Sequence, residues 1–500
     1  MQEIAKNRTG SANRRVDRRF FLTSSGRAAL CSLLWTEALQ IDQNSGDQRP
    51  CGPGSAYKPS LSVAFVRRKE EYGMLWPGQI YDGQAALEMY SDKILTEGRK
   101  LGLSVQLSAT PIYSLEEADA RIDNAKMSKA DGLLLVTLDR QQHVWPTVDK
   151  ALESGIPTVV FSPIGTSFTT NTTIPSKKDG IYICSTDDFE QVAYGMKMIK
   201  AGAKMREMRF LVIKGDERRD ARIAGFGTHL RFIPARDFID EYNRIPVDQN
   251  VERLAKEYIV KARHVQGPSK SDVLNGIKSY VVARNLLRRE ECDGITMDCL
   301  GALGPTEISL PCIAWSKLND QGVPAACEAD LGACVTHALV QYLFDRPGFQ
   351  QDPVAETAKE CLIGAHCCCP TKLGGFSTDS VPFSIVHHHG NRDATVKPLW
   401  EIGHPVTVVD LVTSPTELYS TLQMEDDGGS EGNLKMLVDS GQVVDNISVP
   451  PAGGCVVSVM VRLDGVTDVL AYPGFHQLFF YGDFKKELKA YCQLFGIQVV

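Results

Sequence analysis

The sequence predicts an α/β protein: two Rossmann/flavodoxin-like parallel-sheet domains, followed by a C-terminal β-rich, barrel-like domain. Three observations predict it. From about residue 60 to 345, short continuous apolar runs alternate with helix-length amphipathic stretches, the pattern of βαβ units. Those runs are apolar on both faces, as parallel strands covered by helices must be. After about residue 355 the texture changes to short strand runs separated by Gly, Pro and Asp turns. The expected divisions are a leader and linker at 1–58, an N-terminal α/β domain at 59–215, a second α/β domain at 216–354 and a β-rich domain at 355–500 that ends in a helix.

Arg14-Arg15 and Asp17-Arg18-Arg19-Phe20-Phe21-Leu22 lead into an apolar stretch at 28–39, an order similar to a twin-arginine export signal. Asp17, Arg27 and Glu37 depart from that pattern. Two expectations therefore stand, a periplasmic exported protein and a cytoplasmic one with a basic leader. Residues 40–58, with Gly, Pro, Ser and Asp, read as a linker.

In the first α/β unit, strands are expected at 62–66, 104–107, 132–137, 157–161 and 209–213, with helices over about 80–102, 115–129, 145–154 and 187–203. Gly225-x-Gly227 lacks the third glycine of a dinucleotide fingerprint, because Leu230 stands there. Gly215, after the last of these strands, stands where open α/β sheets bind ligands. The second unit carries an expected helix over 272–289, strands at 294–298 and 311–315, and an amphipathic helix over 331–344. The β-rich part holds strand runs at 406–412 and 454–461, an exposed loop at Asp426-Asp427-Gly428-Gly429 and a final helix over 482–495.

The chain has 54 basic and 61 acidic residues and a net charge of -7, which points away from nucleic acid and anionic membranes as partners. No run approaches the ~18 apolar residues of a membrane helix. The 14 cysteines are not laid out as a disulfide scaffold; most lie in apolar runs, as buried thiols do. The triplet Cys367-Cys368-Cys369 stands beside His366, but on an extended chain successive side chains face opposite ways, so three in a row do not all grip one ion.

Chemistry concentrates around Glu328. Its neighbours Ala325, Ala326, Cys327 and Ala329 are small and apolar, so its carboxylate is expected on buried backbone at a strand-to-helix junction. Asp330 reads as the cap of the next helix. Asp352 precedes Pro353 in a turn-prone segment, and His366 closes an apolar strand. Of His387-His388-His389 at most two share a face, and His389 is the expected substrate contact. His476 lies in a late loop. Two carboxylates with one or two imidazoles are what a divalent ion with open positions requires.

Several stretches carry a likeness. Pro311-Cys312, Cys327-Glu328-Ala329-Asp330-x-Gly332-Ala333, Pro347-x-Phe349-x-x-Asp352, Ala365-His366-Cys367-x-x-Pro370, Gly403-His404-Pro405-Val406-Thr407 and the late His476 together resemble the L-fucose isomerase and L-arabinose isomerase family. The likeness covers about 60–500 and is firm from 290 onward. It implies metal ligands at Glu328, Asp352, His366 and His476, with Mn2+ or a similar divalent cation bound. It implies Asp352 as base and Glu328 as acid in aldose–ketose isomerisation of a monosaccharide through an ene-diol, within a trimer or hexamer. The runner-up expectation is a non-catalytic sugar-binding or sensing protein on the same scaffold, which has no need of a carboxylate acid/base pair.

Overall fold

The computed structural model describes residues 52–69, 82–140, 142–387, 392–412, 422–423, 434–448 and 455–500. The twin-arginine-like leader, His388, His389 and the Asp426-Asp427-Gly428-Gly429 loop lie outside them.

The first sheet is parallel throughout. Its strands β1 (Ser60–Val66), β2 (Ser104–Leu107), β3 (Gly132–Thr137), β4 (Thr158–Ser162) and β5 (Ile181–Ser185) run in the order β2-β1-β3-β4-β5, a doubly wound arrangement. Its central strand β3 is buried at every residue, which its Gly-Leu-Leu-Leu-Val-Thr sequence requires. Helices Gly83–Leu101, Leu115–Met127, Val144–Glu153 and Phe189–Glu207 lie where the apolar periodicity puts them.

The second sheet joins β6 (Arg209–Ile213), β7 (Arg219–Ile223), β8 (His229–Ile233), β10 (Gly294–Met297), β11 (Ala325–Cys327) and β17 (Leu422–Gln423) in the order β11-β10-β6-β8-β7-β17. β11, β10, β6 and β8 are parallel, while β7 and β17 add antiparallel at the far edge. A small sheet of β9 (His264–Gln266), β14 (Phe383–Val386) and β15 (Thr395–Pro398) flanks it.

The C-terminal part is a closed six-stranded barrel. Strands β16 (Pro405–Leu411), β20 (Gln477–Tyr481), β12 (Phe349–Glu356), β13 (Cys361–His366), β19 (Val457–Leu463) and β18 (Lys435–Ile447) follow one another, and β18 pairs back onto β16. β21 (Gln498–Val499) adds parallel to β18. Closure pairs each barrel strand on both sides, and the start of β18, which runs beyond β19, takes β21 there instead.

Between the second sheet and the barrel lies the helix Leu331–Phe344. Its sequence is apolar all round, and every residue but Tyr342 is buried. It packs on β10 and β11 on one side and on β16 and β20 on the other, which makes it a rigid mount for the residues at its N-terminus.

Three expectations are corrected. The 209–213 strand, expected in the first α/β unit, is β6 of the second sheet, paired with β10 and β8. The run Pro311–Trp315 is not a strand: a helix, Cys312–Asp320, begins there and is buried on most sides. A short apolar run does not distinguish a buried helix from a buried strand. Asp352 is not in a turn but within β12, facing Ala365 of β13. β12 pairs with β20 only through Gln351 and with β13 from Asp352 onward, so Pro353 lies where a missing N–H breaks no bond to β20.

Candidate functional site

Glu328 and Ala329 follow directly on β11 with φ of 62° and 54°, a left-handed step that non-glycine residues take at a cost of about 1 kcal/mol or more each. The surroundings hold it. Ala329 N donates to Met297 O at 3.0 Å and Asp330 N to Cys327 O at 3.2 Å. Asn319 clasps Ala325 through both backbone groups, and Gln350 Oε1 accepts from Cys327 N at 2.8 Å. The strained turn swings Glu328 off the carboxyl end of an edge strand, where open α/β sheets bind ligands.

Asp330 caps the next helix as expected, accepting from Ala333 N at 2.8 Å. Its second oxygen has a further task, which sequence reading missed: Asp330 Oδ2 lies 2.9 Å from His476 Nδ1. His476, 3% exposed and at φ 59°, is thereby aimed so that its Nε2 faces Asp352 Oδ1 at 3.1 Å and Glu328 Oε2 at 3.4 Å. His366, at the end of β13, directs Nε2 towards Glu328 Oε1 at 4.0 Å, and the two imidazole rings meet edge-on with centroids 5.4 Å apart. Donor atoms of Glu328, His366 and His476 lie within 4.8 Å of one another. The structure thus brings together all four residues expected to bind metal, from two strand ends, one mid-strand position and one loop. Expected contact His389 lies outside the described residues; its neighbour His387 bonds through Nδ1 to Asp393 O at 2.9 Å.

The electrostatics are unbalanced. Burial works against charging His476, but Asp330, Asp352 and Glu328 outweigh it and raise its pKa to about 11. Asp410, behind the site, accepts from Phe475 N at 3.1 Å, and burial reinforced by Asp330 pushes its carboxyl up to about 8. Nearby His337 is fully buried; burial and His366 push its pKa down to about 3. Asp352 Oδ1, His366 Nε2 and His476 Nε2 are buried and close enough to interact, yet none makes a hydrogen bond of proper geometry. Three convergent polar atoms left unpaired are what a cation would satisfy. The Asp330–His476 contact is the support that a metal-binding imidazole needs, since it holds Nδ1–H and frees Nε2 as the ligand. The residues fit a divalent ion.

Away from these residues, a cleft of about 460 Å3 opens at the end of β6, lined by Lys214, Gly215, Asp216, Glu217, Arg219 and Phe232. Among the described residues no helix is long and apolar enough to cross a membrane.

Neither a protein-family model nor a curated protein matches this chain. Among solved structures it is similar to an ABC-transporter solute-binding protein from Burkholderia multivorans, at 14% identity over 58% of this chain and 95% of that one, with a TM-score of 0.19. It is also similar to the sugar-binding protein of a sugar ABC transporter from Bacillus halodurans, at 14% identity over 68% and 97% of the two chains, with a TM-score of 0.16. A protein described as the XylFII molecule matches at 11% identity over 48% and 79%, with a TM-score of 0.16. Two of these three are described as solute- or sugar-binding proteins and none as an isomerase, a finding that stands against the expectation of an enzyme carrying out aldose–ketose isomerisation.

Proposed function

We propose that the protein is a sugar-binding protein, without catalysis, that captures a monosaccharide through a divalent cation held by Glu328, Asp352 and His476, with His366 as the additional ligand. The observation that carries this reading is the set of unpaired buried atoms, Asp352 Oδ1, His366 Nε2 and His476 Nε2, converging beside Glu328. Two carboxylates and neutral imidazoles match the charge and donor preference of a first-row divalent ion. Such an ion supplies open positions for oxygen ligands, and vicinal hydroxyls are a bidentate pair of them. The side chains of Glu328 and Asp352 remain 37% and 36% exposed, so a small polyol can reach the ion from solvent. Kinship with the sugar-isomerase family is part of this proposal only as a shared cation cradle.

The test is calorimetric binding of pentoses, hexoses and 6-deoxyhexoses to the full chain with and without Mn2+. The expected result is sugar binding that needs the cation and is lost in Glu328→Gln. Sugar binding that persists in chelator, or no binding of any of these sugars by the Mn2+-loaded protein, overturns the reading.

A further inference from the structure

His366 has two faces, and the site above uses one. Its Nε2 looks towards Glu328; its Nδ1 looks into sulfur, 3.5 Å from Cys367 Sγ and 3.8 Å from Cys368 Sγ. Cys327, the residue before Glu328, completes the group from the other side: donor atoms of Cys327, His366 and Cys367 lie within 4.8 Å of one another. The Cys327 thiol is also flanked by the thiols of Cys368 and Cys299. All of these residues are buried.

The cysteine triplet does not contribute as a row. β13 ends at His366 and the chain bends at Cys367, so strand alternation no longer governs the next side chain. Cys367 and Cys368 both reach His366, while Cys369 Sγ turns away to Pro370 O at 3.5 Å. The backbone is fixed in this bend, because Thr395 Oγ1 donates to Cys367 O and Ser316 Oγ donates to Cys369 O at 2.8 Å.

We infer that Cys327, Cys367, Cys368 and His366 Nδ1 form a second metal site, for a thiophilic ion of the Zn2+ class, back to back with the oxygen-rich cradle. Three sulfurs and one nitrogen from two chain segments are a tetrahedral donor set for zinc, and small side-chain rotations bring them onto ligand bonds of about 2.0–2.3 Å. Binding releases the thiol protons, and metal–sulfur bonds replace weak thiol contacts in a dry setting. With Nδ1 bound to that ion, Nε2 carries the proton and donates towards Glu328, the carboxylate–histidine–metal arrangement that steadies an imidazole, so while the sulfur site is filled the oxygen-rich cradle holds its ion through Glu328, Asp352 and His476 without His366. Glu328 and Cys327, adjacent in sequence, then face different ions.

The test uses the full chain loaded with one equivalent of Zn2+ and X-ray absorption at the zinc edge. The expected result is a sulfur shell at about 2.3 Å that is lost in the double variant Cys327→Ser, Cys367→Ser and kept in Glu328→Gln. A shell of oxygen and nitrogen alone in the unaltered protein overturns the inference. So does a sulfur shell that survives the double variant. The measurement on the unaltered chain decides the matter even if the double variant does not fold.

Discussion

The carboxyl ends of the two parallel sheets carry opposite kinds of polar cluster. In the first sheet, Thr137 closes β3 and Ser162 closes β4, and their hydroxyls bond to each other at 3.1 Å. Thr166 bonds to both at 3.0 and 2.8 Å, and Ser162 donates to Ser167 at 2.7 Å. Every member is neutral and has partners. In the second sheet, the turn after β11 delivers carboxylates and imidazoles whose buried Asp352 Oδ1, His366 Nε2 and His476 Nε2 lack hydrogen bonds. The difference teaches where to look for a ligand. A satisfied hydroxyl cluster stabilises its own fold, whereas a charged one with buried atoms short of hydrogen bonds gains further stability when a ligand satisfies them.

The sharpest way to break that comparison is a pair of near-isosteric substitutions. Thr137→Val deletes a buried hydroxyl with two partners and is expected to cost about 1–3 kcal/mol of unfolding free energy. Glu328→Gln removes one of three carboxylates crowding His476, and in the cation-free protein it is expected to leave stability within ~0.5 kcal/mol of the original. Urea denaturation in chelator measures both. Equal losses in the two variants would show that both clusters are structural.

A smaller effect sharpens the comparison from behind the site. Asp410 is buried with its pKa raised to about 8, against an ordinary value near 3.8. Between those values the folded state holds a proton that the unfolded state has lost, so stability falls as pH rises from about 4 to 8. Asp410→Asn keeps an oxygen for Phe475 N and removes the charge. It is expected to gain about 1 kcal/mol at pH 8 and nothing at pH 3.5, as seen in denaturation midpoints. A gain of the same size at both pH values would exclude ionisation of Asp410 as the cause.

Strands such as β3 and β6 were legible because burial on both faces demands uninterrupted apolar runs, whereas β5, β7 and β8, only partly buried and interspersed with polar residues, were not. Pro311–Trp315 misled because a five-residue apolar run fits a buried helix equally well. Asp352 misled because Pro353 suggests a turn, and only the change of partner along β12 shows why proline is tolerated there. Local chemistry pointed to Glu328, but His476 entered through family resemblance. The Asp330–His476 contact was illegible, since it joins residues 146 apart in sequence. The sulfur cluster is illegible for the same reason: alternation within the triplet carries no sign of the bend after β13 or of the arrival of Cys327 from β11.

The most direct measurement of the cation cradle is a calorimetric titration of the full chain with Mn2+ in two buffers of different ionisation heat. Without the ion, three carboxylates raise the His476 pKa to about 11, above an unfolded value near 6.5. That imidazolium therefore stabilises the fold fully below about pH 6.5, and its contribution is lost as pH rises through about 11. A cation at Nε2 must displace this proton. The account predicts about one Mn2+ bound per chain at pH 7.5, with release of about one proton from His476, and affinity at least ~10-fold weaker in Glu328→Gln. No uptake of Mn2+, or uptake that releases no proton and ignores the loss of Glu328, would contradict it.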